Sequence, residues 1–151
     1  MKLTPSLDQM LKIECNTFIH SNVQNIWILL VTPESIKKYL FGTETVSNWT
    51  IGSEIRFKGE WEGKLYEDKG IILNLEFQKE LKYSNFSSFS EMPDLPENYS
   101  IITMKLVEKN EGVFLSLCQT GFFSEEQQKH SEQNWSQILE KIRILAEDGS
   151  V

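Results

Sequence analysis

The sequence predicts an α+β fold in which a curved antiparallel sheet wraps around one long C-terminal helix. Three observations predict it: strand-like alternation near the start, a central run of alternating segments joined by short turns, and an amphipathic final stretch. At 151 residues the chain suits one domain with one core, read here as residues 11–148 after an N-terminal extension at 1–10.

Residues 11–20, LKIECNTFIH, put Leu11, Ile13, Cys15 and Ile19 on one face and Lys12, Glu14 and Asn16 on the other, the pattern of a half-buried strand. Ser21 with Gln24 three positions on is a capping-box signal. Val23, Ile26, Trp27 and Leu30 follow at helical spacing, so a short helix is expected over about 22–31. Thr32-Pro33 opens a second helix with Ile36, Tyr39 and Leu40 on its apolar edge, ended by Gly42. After a loop with Trp49 and Gly52, residues 54–61 alternate Ile55, Phe57, Gly59 and Trp61 against Glu54, Arg56, Lys58 and Glu60, the clearest strand in the chain.

Glu62-Gly63 offers a tight turn into a partner strand, within which Gly70 suits a bulge or a close backbone approach. Further strands are expected at 70–77, 80–87, 99–108 and 113–120, the last two joined by the polar turn 109–112. Together they make consecutive antiparallel hairpins and a sheet of about six to seven strands. Residues 87–98, with Pro93 and Pro96, form a loop that is long for a hairpin connection, either an ordinary surface excursion or a lid. Ser124-Glu125-Glu126-Gln127 opens the closing helix, where Trp135, Ile138, Leu139, Ile142, Leu145 and Ala146 share one face.

Composition removes several function classes. A net charge of −7 repels a phosphate backbone, so nucleic acid is not an expected partner. The longest apolar run, Ile26–Val31, is far short of the about 20 residues of a membrane span, and the N-terminus lacks the apolar stretch of a secretory signal; a cytoplasmic location away from membranes is expected. Cys15 and Cys118 form no metal-spaced or disulfide-framework pattern, and His20 and His130 have no metal-spaced partner, so neither a metal nor a cofactor is expected. The carboxylates, such as Glu54/Glu60 and Glu125/Glu126, read as solvated faces. No nucleophile elbow, phosphate loop or dinucleotide fingerprint is present, and catalytic residues are therefore not assigned.

Aromatic side chains are the richest feature, and most belong in the core, since each buries about 150–250 Å². A sheet wrapped around one helix nevertheless leaves a concave, mostly apolar pocket. Phe57 and Trp61 from the central strand and Trp135, Leu139 and Ile142 from the closing helix are its expected walls, with Tyr39, Tyr83 and Gln119 as polar contacts.

Ordered segments across residues 11–147 also resemble a known family. They are Ile26-Trp27 with Thr32-Pro33-Glu34, Asn48-Trp49-Thr50-Ile51-Gly52-Ser53, Gly70-Ile71-Ile72, Gly112–Leu117, Thr120-Gly121-Phe122, and Asn134-Trp135. In order and spacing they are similar to the START-like (SRPBCC, birch-pollen-allergen-like) helix-grip superfamily, and within it to the C-terminal domain of the activator of heat-shock protein 90 ATPase. The resemblance implies two short helices after the first strand, a sheet gripping the last helix, and Cys15 and Cys118 on neighbouring strands. Members often carry Trp where Tyr39 stands and His where Gln119 stands, so a ligand or metal role resting on that His does not carry over.

The resemblance and the pocket together imply a non-enzymatic domain binding a small lipid-like or aromatic ligand, as monomer or homodimer. One alternative is a chaperone-interacting module, although 151 residues leave no room for the separate chaperone-binding domain of the eukaryotic co-chaperone. The other is a cavity enzyme acting on a hydrophobic substrate.

Overall fold

A computed structural model describes residues 11–150; the N-terminal extension read at 1–10 lies outside the described residues. Strand β1 (Ile13–Ile19) is followed by helices α1 (Val23–Val31) and α2 (Pro33–Tyr39). Six further strands come next: β2 (Glu44–Ser47), β3 (Glu54–Trp61), β4 (Lys64–Glu76), β5 (Glu80–Asn85), β6 (Ser100–Lys109) and β7 (Gly112–Thr120). Helix α3 (Glu125–Glu147) closes the chain. The strands form one curved antiparallel sheet in the order β1-β7-β6-β5-β4-β3-β2, so the first two strands of the chain are its two edges.

The helix caps follow from side-chain chemistry. Asn22, rather than Ser21, caps α1: its side chain accepts a hydrogen bond from the Asn25 N–H at 2.8 Å. Pro33 occupies the first turn of α2 as expected, while the Thr32 hydroxyl makes no cap bond. Ser124 Oγ accepts from the Gln127 N–H at 3.1 Å, and the Gln127 side chain returns to accept from the Phe123 N–H at 3.0 Å.

Two turns and a bulge shape the sheet. Glu62 (φ 49°) and Gly63 (φ 81°) both take left-handed backbone between Trp61 and its partner Lys64, which matches the strand twist of a two-residue hairpin. Between β4 and β5 the register slips at Leu73, one extra residue that lets both Ile72 and Leu75 turn inward. The partner strand expected after Glu62-Gly63 and the strand expected at 70–77 are one element, β4, whereas β2 has no counterpart in the sequence reading.

The inner sheet face meets α3 through Trp135, Ile138, Leu139, Ile142 and Ala146, with Ile26, Leu29 and Leu30 of α1 completing the core. Cys15 pairs in register with Leu117, and Cys118 with Glu14. Because successive side chains alternate, Cys15 points into the core and Cys118 outward, and both are free thiols. Burial pushes the Cys15 thiol up, partly offset by its contact with Ser136. Among the described residues no helix is long and apolar enough to cross a membrane.

Candidate functional site

The space between sheet and helix is closed at one end and open at the other. The closed end holds an apolar void of only about 20 Å³, beside Tyr39, Ile36, Trp49 and Leu81. The open end, under the first half of α3, is a cleft of about 560 Å³. Leu40, Phe57, Tyr83 and Trp135 border both spaces and so form the partition between them. A volume of a few hundred Å³ is what a small-molecule site commonly offers.

The strands place the cleft's groups by alternation. On β3 the inward phase is Ile55, Phe57, Gly59 and Trp61; on β4 it is Tyr66, Asp68, Gly70 and Ile72; on β5 it is Leu81, Tyr83 and Asn85. Register sets Phe57 opposite Asp68, and Tyr83, Ile102 and Gln119 in one row across β5, β6 and β7. The Phe57 and Tyr83 rings lie 5.5 Å apart, centroid to centroid.

Polar groups converge on this apolar shell. Gln119 Oε1 accepts from Trp135 Nε1 and from Ser131 Oγ, each at 2.7 Å, which fixes the indole against the last strand. Tyr66 and Thr43 share a hydrogen bond of 2.6 Å between hydroxyls. Asp68 Oδ1 accepts from the Ser88 N–H at 3.1 Å and from the Ser88 hydroxyl at 3.5 Å. Burial pushes the Asp68 carboxyl above its ordinary range, a rise the Ser88 bonds only partly offset. Burial, and then the nearby Asp68 charge, hold the Tyr83 phenol protonated far above neutral pH. Asn85 Oδ1 is enclosed and has no hydrogen-bond partner among the described residues.

The sequence-predicted residues divide accordingly. Phe57, Trp61, Tyr83, Gln119 and Trp135 border the cleft, Trp61 as a 58% exposed ring at its mouth. Tyr39, Leu139 and Ile142 do not: Tyr39 lies by the small void and donates its hydroxyl to the Leu29 carbonyl at 2.9 Å, tying α2 to α1, and the other two are core. Sequence reasoning missed Tyr66, Asp68 and Asn85. The signal available was a carboxylate on the inward phase of a strand, between Tyr66 and Ile72.

The long loop after β5 borders the cleft with Ser87 and Phe89. It is tied down by the Asp68–Ser88 bonds, by Tyr99 donating to Asp94 at 2.6 Å, by a Lys69–Asp94 ion pair and by a Phe86–Tyr99 stack at 5.0 Å. Phe89 packs 6.1 Å from the Tyr66 ring, so the loop is one wall of the cleft.

Residues 20–147 match the family described as Activator of Hsp90 ATPase homolog 1-like protein. A protein from Cytophaga hutchinsonii, solved in solution, is 44% identical over 93% of this chain and 96% of that one, with a TM-score of 0.80. A Mesorhizobium loti protein, solved by X-ray crystallography, is 22% identical over 89% and 95%, with a TM-score of 0.74. The solution structure of the Aha1 dimer from Colwellia psychrerythraea is 16% identical over 94% and 100%, also with a TM-score of 0.74. The last two likenesses are of fold alone. No curated protein matches the chain.

Proposed function

The chain belongs to the activator of Hsp90 ATPase homolog 1-like family, in the START-like superfamily, and from that premise we propose that it binds a small, mainly apolar molecule in the cleft between sheet and α3. The observation that carries this reading is the cleft itself: about 560 Å³, walled by Phe57, Trp61, Phe89 and Trp135, with Asp68, Asn85 and Gln119 at its polar points. A shell of apolar walls with a few placed polar groups is what orients a small ligand.

Nile red, a neutral dye whose emission shifts in apolar surroundings, is expected to bind one per chain. A chain with Asn134→Trp, which fills the cleft from the half-buried flank of α3, is expected to lose at least about tenfold in affinity. Equal dye binding by both chains overturns the assignment.

A second reading, a chaperone-interacting module, is favoured by the family match and by one surface feature. Phe18, Phe114 and Val107 stand side by side in register on the outer face of β1, β7 and β6, with Phe114 and Val107 37% and 48% exposed. Stimulation of an Hsp90 ATPase by the purified chain, lost on Phe114→Ser, is the expected result on this reading. Absence of stimulation retires it.

A further inference from the structure

The binding reading above can be narrowed, because the charge lining the cleft is lopsided. Its lining holds two carboxylates, Asp68 and Glu60, and one imidazole, His130, but no lysine or arginine. Asp68 Oδ1 is taken by Ser88, whereas Oδ2 makes no hydrogen bond among the described residues. The cations nearest in sequence are committed elsewhere: Lys69 to Asp94, and Arg56 and Lys58 to Glu67 on the opposite face of the sheet.

Two further groups lack partners. Asn85 Oδ1 is an enclosed acceptor with none, and Tyr83, only 4% exposed, makes no hydrogen bond through its hydroxyl among the described residues. A buried acceptor without a donor, as at Asn85 Oδ1, is rare in folded proteins, and the Tyr83 hydroxyl is free to accept or to donate.

We propose that the cleft selects an organic cation, a primary ammonium carried on an aromatic or aliphatic body, with Asp68 as its counter-ion. An ammonium brings three donors and no acceptor, the complement of the open carboxylate oxygen Asp68 Oδ2. The rings around Asp68 add attraction, since aromatic faces hold cations within about 6 Å of the centroid, and Phe57 stands opposite Asp68 in the sheet. The cleft's outer rim already shows such a contact, with Lys141 Nζ 4.7 Å from the Phe41 ring. An anion would meet Asp68 and a chain of net charge −7; a neutral ligand would leave the carboxylate unpaired.

Calorimetric titration of the full chain with phenylbutylamine, phenylbutanol and phenylbutanoate tests this, because the three share a body and differ in charge. The amine is expected to bind at least about tenfold tighter than the alcohol, and the carboxylate weakest. Asp68→Asn should bring amine and alcohol within about twofold of each other. The amide oxygen can keep both Ser88 bonds, and the burial that pushes the carboxyl up ceases to disfavour a charge. Asp68→Asn is therefore expected to melt at or above the parent's temperature. If the alcohol or the carboxylate matches the amine, or if Asp68→Asn keeps the amine's advantage, the cation assignment is overturned while the cleft reading stands. If none of the three binds and Nile red is also silent, both fall.

Discussion

A Gly70→Ala chain is expected to lose about 3 kcal/mol of stability or fail to fold, as read by chemical denaturation. Gly70 sits on the inward phase of β4, opposite Ile55 on β3. A methyl group there would lie 1.6 Å from the Ser84 carbonyl oxygen and 3.2 Å from the Asn85 nitrogen. Both are backbone atoms of the neighbouring strand, so no rotamer change relieves the clash; β4 and β5 would have to separate. The ladder is already adapted at this point, since the Ile71 N–H donates to Ser84 Oγ at 3.1 Å. Asn85 lies at this close approach and Asp68 two residues before it on β4, and both border the cleft, so any surviving Gly70→Ala protein is also expected to bind Nile red more weakly. Wild-type stability in the variant would show that the two strands are not packed this closely.

Trp135→Ala is the second large effect, expected to cost about 3–5 kcal/mol. The indole is 8% exposed, separates the small void from the cleft, and donates to Gln119 Oε1. Its loss removes buried apolar area, joins the two spaces and leaves Gln119 with Ser131 as its single donor. Trp135→Phe separates these contributions, because it keeps most of the bulk and loses the N–H. About 1 kcal/mol is expected for that change, the typical net worth of one hydrogen bond. If the two variants are equally destabilised, the hydrogen bond rather than the partition is what Trp135 supplies.

The order of elements was legible in the sequence because most strands alternate cleanly. Residues 54–61 put Ile55 and Phe57 inward against charged neighbours, and the closing helix repeats its apolar face over six positions. Legibility failed where the inward phase is not apolar. On β4 the inward residues 66, 68 and 70 are Tyr, Asp and Gly, so no apolar alternation joined the strand expected after the Glu62-Gly63 turn to the one expected at 70–77. β2 has Thr45 inside and Val46, 47% exposed, outside, the reverse of the usual pattern. Two of the positions that break the binary pattern on β4, Tyr66 and Asp68, border the cleft. Leu139 and Ile142 were misplaced for a different reason: helical periodicity identifies the buried face but not how far along it the sheet closes. Asn22 displaced Ser21 as cap because either side chain can serve, and the backbone turn decides between them.

The strand order carries a consequence for how the chain is made. β1 precedes the other six strands in the chain, yet among the described residues its sheet partner is β7 alone, with Ile13 meeting Gln119. The hairpins from β3 to β6 can zip locally during synthesis, while the first strand waits, its Ile13 and Ile19 unsheltered, until nearly the whole chain has emerged. The seam between β1 and β7 is therefore the strand pairing with the greatest sequence separation in the sheet, the kind that forms late.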